Sequence, residues 1–593
     1  MAKTSRLLVM TGVVLAVLLH ATSRVSHGNS ANDGVVQGDL GAKLDRYFSR
    51  LAPFGFSGVV LVAKKKQILL HKGYGWADAQ NRVPNTTQTV FDIASLTKQF
   101  TAAAILKLEM QGKLKTTDAL GKLLPNVPPD KSAITVHQLL THRSGLQPDF
   151  PKGKNISRAQ FLAGILSQPL AAEPGKEYIY ANSGYCLLAA LVEELSGQPY
   201  PQFLAEQLYR PAGLTHTGVY DDRARWQGIA VAPVAHGYNE EQDTGSPCER
   251  ASDWGVRGAY DALTNPGDLY QWLSVLQTDK VLSATEREKM FSVQTATGTP
   301  GENYGYGWNI FKNTYGRRLI GHGGSHFAGF NSGVRYFPDE DVLVIVTTNK
   351  IYGRYLPLSS VEPAIDALLF GGKFTEPPAA TLSSSEMLQP LAGEYVLSSG
   401  ATVTVNAPGD HLTLSVTGQE AIDLLLNASE QERKLLADFN HRAVSVFKAI
   451  AQADYGAVSK AFGGQFSPED AKKLVGGFWQ RFETQHGEFK SVDVLGTVPE
   501  TEAKMTYVRL NFARGSEYRR CRWENGHLAY ILQGAPPLLP TTFLWQSKSE
   551  FVGYHVVVGR TVQVAFERDS AGKVAKLAFQ AGRERTVATR RAQ

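Results

Sequence analysis

The sequence has few cysteines, and they are scattered. Cys186, Cys248 and Cys521 are an odd number and lie far apart along the chain. This pattern argues against a disulfide framework and against a set of thiolate metal ligands. Cys186 lies in an apolar run with helical spacing, so we expect it to be part of a core.

Long apolar runs are also scarce. One extends over Leu7–Leu19, after Lys3 and Arg6 and before small and polar residues that reach Gly28. This layout is typical of a secretory signal peptide; the alternative, a membrane anchor, needs roughly 20 apolar residues. We expect residues 1–28 to be a signal peptide and the mature protein to be periplasmic or secreted, with no integral membrane span. No cysteine lies near the expected cleavage point, so no lipid anchor is indicated.

A block of basic residues is missing too. The net charge of +6 comes from 61 basic and 55 acidic residues, a small excess in 593 residues. Lys64, Lys65 and Lys66 are consecutive, but they lie between two apolar runs and are expected at the tip of a hairpin. A nucleic-acid partner is therefore not indicated.

The chain does contain enough apolar residues for several cores. Hydrophobic residues make up 43% and charged residues 20% of the sequence, which is ordinary for globular proteins. At roughly 150 residues per domain, the length suggests about two to four domains. We expect three.

The first domain is expected to be α+β, with strands at both ends and helices between. The late strands would complete an antiparallel sheet that the early strands begin. The segments behind this prediction are the strands Gly58–Ala63, Gln67–His71, Arg317–Gly321, Asn331–Phe337 and Val342–Thr348, and the buried helices Ser95–Gly112 and Ser183–Ser196.

The composition changes near residue 375, where prolines and serines indicate a linker. Short alternating segments then predict strands of a barrel or sandwich up to about Asn427, and again over Phe551–Val558, Thr561–Arg568 and Val574–Gln580. Residues 429–486 have helical spacing, and 488–533 return to strands with a turn at Asn525-Gly526. We predict a first α+β domain over 29–375, a split β-barrel over 376–427 plus 536–593, and an inserted α+β domain over 428–535.

Ser-x-x-Lys occurs three times, at Ser95–Lys98, Ser445–Lys448 and Ser570–Lys573. On a helix this spacing places both side chains on one face, within reach of a proton transfer. Ser95 would begin a long buried helix, where backbone N–H groups are unpaired and the helix dipole favours an anion. Ser445 lies inside an amphipathic helical segment and Ser570 in a tight turn, so both are interpreted as surface residues.

Two roles are open to Lys98. It could accept the proton of Ser95 if burial lowers its pKa, or it could keep a second group ionised. Tyr180-Ala181-Asn182 is the only Tyr-x-Asn segment and precedes a buried helix, which makes Tyr180 the candidate for that group. The alternative for an isolated buried tyrosine is a structural hydrogen bond.

His322-Gly323-Gly324 follows the predicted strand Arg317–Gly321. Glycines at this point let a substrate lie against the strand edge. His71-Lys72-Gly73 has the same spacing, but it precedes Ser95 and leads out of an early strand. We interpret that copy as structural.

In this order, Ser95-x-x-Lys98, Tyr180-x-Asn182 and His322-x-Gly324 resemble the three active-site motifs of class C β-lactamases, D-alanyl-D-alanine carboxypeptidases and related esterases. The resemblance to this serine β-lactamase and penicillin-binding-protein-like family covers about residues 40 to 370. The surrounding segments are similar too: Phe91-Asp92-Ile93-Ala94, Gln138-Leu139-Leu140-Thr141-His142-Arg143-Ser144-Gly145-Leu146, Ser183-Gly184-Tyr185 and Gly321.

The resemblance implies an exported serine hydrolase of β-lactamase/transpeptidase-like fold, acting on a small-molecule, peptide or ester substrate. Ser95 would form an acyl-enzyme, Lys98 and Tyr180 would transfer its proton, and water would release the acyl group. Asn182, His322, Gly323 and Gly324 would bind substrate. The oxyanion hole would be formed by the N–H groups of Ser95 and Ser325.

One position departs from the class C pattern, which usually has Lys-Thr-Gly as its third motif. His322 replaces that lysine, and a histidine is mostly neutral at pH 7 unless a neighbour raises its pKa. The departure favours an esterase, a D-amino-acid-type peptidase or a carboxypeptidase over an efficient β-lactamase. Weak β-lactamase activity stays open, because several family peptidases also have histidine there.

Other sites are less well supported. His322 and His326 are four residues apart, but glycines and a serine separate them and no third ligand is evident, so we expect neither a metal nor a cofactor. Residues 142–145 are interpreted as a structural loop under the site. An alternative to the enzyme is a catalytically silent receptor for peptidoglycan fragments or β-lactams, and a further one is a scaffold that acts through its tail. The sequence does not indicate an oligomeric state.

The tail has weaker resemblances. Leu391-Ala392-Gly393-Glu394-Tyr395 and Val564-Ala565-Phe566-Glu567-Arg568 resemble the lipocalin-like barrel that often follows this hydrolase domain. The insert, with Phe478-Trp479 and Thr506-Tyr507-Val508-Arg509-Leu510, resembles nuclear transport factor two. That fold hosts both enzymes and binding modules, so it does not indicate a function.

Overall fold

The computed structural model describes residues 34–150, 155–222, 233–239, 242–250, 253–351, 357–499, 503–534, 538–547, 549–555, 559–581 and 584–591. The predicted signal peptide, residues 1–28, lies outside the described residues. Within the described ranges, no helix has both the length and the apolar composition needed to cross a bilayer.

The part of the chain up to residue 370 alternates strands and helices. Its strands are β1 Val35–Val36, β2 Gly58–Lys64, β3 Gln67–Tyr74, β4 Trp76–Asp78, β5 Val83–Pro84, β6 Phe91–Asp92, β7 Gly218–Val219, β8 Tyr238–Asn239, β9 Gln242–Asp243, β10 Ala262–Thr264, β11 Thr295–Ala296, β12 Asn303–Tyr304, β13 Asn309–Lys312, β14 Arg318–His326, β15 Phe330–Phe337, β16 Val342–Thr348 and β17 Lys350–Ile351. Its α-helices are α1 Gly38–Leu51, α2 Thr97–Met110, α3 Leu120–Leu123, α4 Pro129–Ser132, α5 Val136–Leu140, α6 Arg158–Ser167, α7 Asn182–Ser196, α8 Tyr200–Leu204, α9 Arg210–Ala212, α10 Pro266–Leu276, α11 Ala284–Phe291 and α12 Pro357–Phe370.

A nine-stranded sheet organises this part, in the order β1-β3-β2-β16-β15-β14-β13-β12-β11. Strand β16 pairs antiparallel with β2 on one side and β15 on the other, with Val346 opposite Val60 and Gly333. All seven residues of β16 are buried, as expected for apolar residues in a central strand. The predicted α+β fold with an antiparallel sheet completed by late strands is therefore confirmed.

Helices α2 and α7 are buried together in the largest core. Helix α2 is apolar on nearly all sides, and every residue from Thr97 to Leu106 is buried, which is the behaviour of a helix enclosed by protein. Helix α7 ends at Ser196, and Gly197 follows with φ +71°, the left-handed conformation that glycine adopts at low cost. The two predicted helices are thus present, with ends shifted by one or two residues.

One strand differs from its prediction. We expected Arg317–Gly321 with the His-Gly-Gly segment after its end, but β14 continues to His326. The whole segment pairs with β15, with Gly323 opposite Gly333 and Ser325 opposite Asn331. Glycines are poor strand formers, which is why the sequence suggested an end at Gly321, but pairing with the buried β15 keeps them in the sheet.

The tail contains a closed barrel and a second sheet with helices. The strands are β18 Gly393–Val396, β19 Thr402–Asn406, β20 Leu412–Thr417, β21 Phe489–Pro499, β22 Ala503–Phe512, β23 Gly515–Glu524, β24 His527–Gln533, β25 Leu538–Ser547, β26 Glu550–His555, β27 Arg560–Arg568, β28 Val574–Ala581 and β29 Glu584–Arg590. The helices are α13 Ser385–Leu388, α14 Gln419–Leu425, α15 Glu430–Ala451, α16 Tyr455–Ala461 and α17 Pro468–His486.

Strands β18, β19, β20 and β25 to β29 close the barrel, and β21 to β24 form the four-stranded sheet between its two halves in sequence. A small barrel after the hydrolase-like part is therefore confirmed. The strand pattern ends at Thr417 rather than near Asn427, because α14 occupies the next residues. The domain boundaries at 376, 428 and 536 stay a prediction.

The barrel packs against the first part of the chain through an apolar interface. Leu544, Val552 and Tyr554 belong to the same buried cluster as Phe54. The Tyr554 hydroxyl donates to the carbonyl of Thr375 at 3.0 Å, and its ring centroid lies 6.0 Å from that of Phe54. The barrel therefore contributes to a core that it shares with the nine-stranded sheet.

This interface yields a stability prediction. Removing the Tyr554 ring in Tyr554→Ala should cost about 3 kcal/mol of packing free energy, because the ring is buried and a cavity replaces it. We expect a lower midpoint of thermal unfolding, followed by circular dichroism. Tyr554→Phe is the matched control, since it loses only hydrogen bonding, worth about 1 kcal/mol. An alanine variant that melts with the wild type would show that the interface is not a stabilising contact.

Candidate active site

Ser95 lies in a 3-10 turn, Ala94–Leu96, that leads directly into α2. Ala94 enters this turn with φ +45°, a conformation that costs a residue other than glycine roughly 1–2 kcal/mol. The hydroxyl of Thr97 donates to the Ala94 carbonyl at 2.7 Å and stabilises the turn from inside. Ser95 is the least buried residue of the turn, so its hydroxyl faces the site.

Lys98 lies one helical turn later, fully buried. Its Nζ lies 3.0 Å from Ser95 Oγ, 2.7 Å from Asn182 Oδ1 and 2.9 Å from the carbonyl oxygen of Ala259. Burial lowers the pKa of Lys98 to about 7, and the charge of Asp149, which is bound to Asn182, opposes this only in part. The helical spacing therefore places a lysine of unusually low pKa against the serine hydroxyl.

Tyr180 lies in the loop before α7, and Asn182 is the first residue of that helix. The side chain of Asn182 accepts from Lys98 through Oδ1 and donates through Nδ2 to Asp149 at 2.8 Å. Burial raises the pKa of Tyr180 well above its ordinary value, although hydrogen bonding to Ser95 acts in the opposite direction. Lys98 Nζ lies 4.8 Å from the centroid of the Tyr180 ring. Two predicted motifs thus converge on Ser95.

His322 reaches the site from β14. Its ring centroid is 6.3 Å from that of Tyr180. Its Nδ1 donates to the carbonyl of Gly323 at 2.7 Å, and its Nε2 accepts from the hydroxyl of Tyr304 at 3.1 Å. Burial, together with the smaller effect of the nearby charge of Lys98, lowers the pKa of His322 to about 3. The imidazole is therefore neutral at physiological pH.

The residues after His322 alternate along the strand. Gly323 and Ser325 are exposed, whereas Gly324 is buried. A Cβ atom on Gly324 would lie 2.1 Å from the carbonyl oxygen of Ile93, just before the turn of Ser95. Gly324 is therefore required for the strand to touch the turn, which places Ser325 next to Ser95. All three predicted motifs are brought together in one place.

His142 is buried beneath the site, and the sequence suggested only a structural loop there. Its ring stacks 4.2 Å from the ring of Tyr180, and its Nδ1 accepts from the backbone N–H of Ala181 at 3.0 Å. Burial lowers its pKa well below the ordinary value, and the charge of Lys98 acts in the same direction. His142 thus supports Tyr180 from below, which fits the structural interpretation of residues 142–145.

The other copies of the motifs lie elsewhere. Ser445 is on α15, where its hydroxyl donates to the carbonyl of His441 at 3.0 Å. Ser570 lies in the turn between β27 and β28. Gly73, in the early His-x-Gly copy, packs against the backbone of Asn85, where a Cβ would lie 2.1 Å from its carbonyl oxygen. Among the described residues, no three His, Cys, Asp or Glu side chains cluster as metal ligands would.

The chain is similar to several known proteins. Residues 44–357 match the family model named Beta-lactamase. The chain is 26% identical to "Penicillin-binding protein 4*" of Bacillus subtilis (strain 168) over 391 residues, which covers 62% of this chain and 86% of that protein. It is 28% identical to "Protein flp" of Staphylococcus aureus (strain COL) over 311 residues, covering 50% of this chain and 60% of that protein.

A solved structure is similar over most of the chain. The octameric penicillin-binding protein homologue from Pyrococcus abyssi aligns with a TM-score of 0.50 and 19% identity, covering 93% of this chain and all of that chain. This likeness concerns the fold alone. The family match is the stronger finding, since it spans more than half of the 593 residues and includes all three motifs. The chain therefore belongs to the beta-lactamase family of serine hydrolases.

Proposed function

We propose that the protein hydrolyses an ester or amide through an acyl-enzyme on Ser95. The observation that carries this proposal is the contact between Lys98 Nζ and Ser95 Oγ, at 3.0 Å in a buried environment. A serine hydroxyl needs a neighbouring base to become a nucleophile. A lysine with a pKa of about 7 can be that base at physiological pH.

The surroundings of Lys98 are compatible with a neutral amine that accepts the proton of Ser95. A neutral amine has two hydrogens and one lone pair. The hydrogens can go to Asn182 Oδ1 and to the carbonyl of Ala259, which are acceptors only. The lone pair then points to Ser95 Oγ, whose hydrogen it takes as the oxygen attacks the carbonyl carbon.

Tyr180 would act after Lys98, as the acid that protonates the leaving group. Because burial raises its pKa, the phenol keeps its proton and can donate it to the leaving group of the substrate. It would recover a proton from Lys98, whose Nζ lies 4.8 Å from the centroid of the Tyr180 ring. Water would then attack the acyl-enzyme, with the same groups acting in reverse.

The contact between β14 and the turn of Ser95 supports a position for the oxyanion hole and for the substrate. The backbone N–H groups of Ser95 and Ser325 would stabilise the oxyanion, each by roughly 3 kcal/mol. Gly323 is exposed on β14, so an extended substrate could lie along this edge. The amide of Asn182 would orient the acyl side chain.

The charge of the site favours substrates whose acyl group is less anionic. His322 is neutral, and the ammonium form of Lys98 is enclosed by its acceptors. An esterase, a D-amino-acid-type peptidase or a carboxypeptidase with weak β-lactamase activity fits this environment better than an efficient β-lactamase. Export to the periplasm or the medium is proposed from the sequence pattern of residues 1–28.

The nucleophile is tested by labelling. A fluorophosphonate probe should add once to the wild type and not to Ser95→Ala, as measured by intact-protein mass. Ser445→Ala is the matched control, since it removes a serine from a second Ser-x-x-Lys segment and should label like the wild type. Equal labelling of Ser95→Ala, or no label on folded wild type, would reject the mechanism and favour a silent receptor.

The base is tested by pH dependence. Below the pKa of Lys98, the ammonium form cannot accept the proton of Ser95, so kcat/KM should fall about tenfold per pH unit below pH 7 and level off above it. Lys98→Arg should lose at least about a thousandfold, because the guanidinium stays charged. Lys107→Arg, on the same helix, should keep the wild-type profile. A wild-type rate that is flat between pH 5 and 8 contradicts the role of Lys98.

The neutral His322 is tested by a pair of substrates, an ester with a free carboxylate and the same ester with a carboxamide. His322→Lys places a cation at this position and should raise the carboxylate-to-carboxamide ratio of kcat/KM roughly tenfold, as expected for one charged hydrogen bond. His322→Gln should leave the ratio unchanged because it adds no charge. A ratio that does not rise in His322→Lys would show that this position does not set the charge preference.

A further inference from the structure

Asp92 is a fully buried carboxylate directly behind the turn that carries Ser95. A buried carboxylate costs roughly several kcal/mol unless charges and hydrogen bonds compensate for the lost water. Burial by itself raises the pKa of Asp92, but His326, Arg250 and Tyr220 outweigh it, and the pKa lies below its ordinary value. The partners of Asp92 therefore show which parts of the fold this charge holds together.

One oxygen of Asp92 holds the turn. Oδ1 accepts from the backbone N–H of Ala94 at 2.9 Å. Ala94 is the residue with φ +45° at the entrance of the turn, a conformation that needs support from its surroundings. This hydrogen bond stabilises the direction in which the chain reaches Ser95.

The other oxygen holds the end of β14. Oδ2 accepts from His326 Nδ1 at 2.8 Å, from Arg250 Nη1 at 2.8 Å and from the hydroxyl of Tyr220 at 2.7 Å. A carboxylate can only accept, so the Asp92 contact requires a hydrogen on Nδ1 of His326; Arg250 Nη1, which lies 2.9 Å from the same nitrogen, then donates to Asp92. His326 is the last residue of the strand and directly follows Ser325. A single side chain thus connects the turn of Ser95 with the strand of Ser325.

Ser325 is fixed on both sides. Before it, Gly324 touches the turn through the carbonyl of Ile93, which also accepts from the hydroxyl of Ser332 at 2.8 Å. After it, His326 is bound to Asp92. Pairing with β15 holds the strand in the sheet, and these two contacts fix its position relative to the turn of Ser95.

We propose that Asp92 is a positioning residue that fixes the separation between the backbone N–H groups of Ser95 and Ser325, and thereby the geometry of the oxyanion hole. The proposal rests on the proposed function, in which those two N–H groups stabilise the oxyanion. Asp92 acts through Ala94 on one side and through His326 on the other.

Asp92→Asn separates the two attachments. An amide oxygen can still accept from Ala94, but an NH2 group facing His326 and Arg250 cannot accept from them, so the strand loses its attachment. The oxyanion exists only in the transition state, and losing a full donor costs about 100- to 1000-fold in rate. A displaced donor should cost less, and we expect kcat/KM per titrated Ser95 to fall about 10- to 100-fold.

The specific readout is an ester compared with its thionoester, in which sulfur replaces the carbonyl oxygen. Sulfur is a weak hydrogen-bond acceptor, so the thionoester gains little from the oxyanion hole. The ester-to-thionoester ratio of kcat/KM should therefore fall about tenfold in Asp92→Asn. Titration with the fluorophosphonate probe counts folded sites only, so a loss of folded protein does not change the ratio.

Two further variants complete the test. His326→Ala removes the same attachment from the strand side and should lower the ratio equally, and the double variant should fall no further than either single one. Asp366→Asn is the matched control: Asp366 is a buried carboxylate bound by Arg335 at 2.6 and 2.8 Å, and its ratio should match the wild type. Wild-type ratios in both Asp92→Asn and His326→Ala, with Ser95 fully titrated, overturn the positioning role and leave the proposed function standing.

Discussion

The burial of Lys98 is the constraint on which the rest of the site depends. An ammonium group removed from water is unstable unless acceptors surround it, and Lys98 has three, from Ser95, Asn182 and Ala259. Each acceptor belongs to a different element, so the packing of α2 against α7 and the loop of Ala259 must be exact enough to bring them within 3.0 Å. The compensation is incomplete, and the remaining cost appears as the lowered pKa.

Burial determines the state of the two imidazoles nearby, and the charge of Lys98 acts in the same direction. His142 and His322 are both buried, and Lys98 lowers the pKa of each. Both rings accept a hydrogen bond at one nitrogen, from Ala181 N–H and from Tyr304 respectively, which also requires the neutral form. We therefore assign the proposed proton transfer in this pocket to Lys98 and Tyr180, although the chain places two histidines beside them.

Much of this could be predicted from the sequence, because local spacing decides it. Ser95 and Lys98 meet by helical periodicity, and the antiparallel sheet follows from the apolar runs at both ends of the first part. What could not be predicted depends on distant packing. Nothing local indicates that Gly324 meets Ile93, or that His142 lies under Tyr180, since about 40 to 230 residues separate such partners.

Packing of buried side chains also explains the structure of the C-terminal barrel. Apolar side chains such as Tyr395, Phe551 and Phe579 fill the barrel interior, which makes it a packed core like that of other small barrels. Its outer face shares a core with Phe54, so removing residues after 380 would expose apolar surface on the first part of the chain. A loss of activity on such a deletion would reflect stability as much as function. Substitutions at exposed positions of the insert, such as Leu474 at 51% exposure, avoid this ambiguity and address the tail alone.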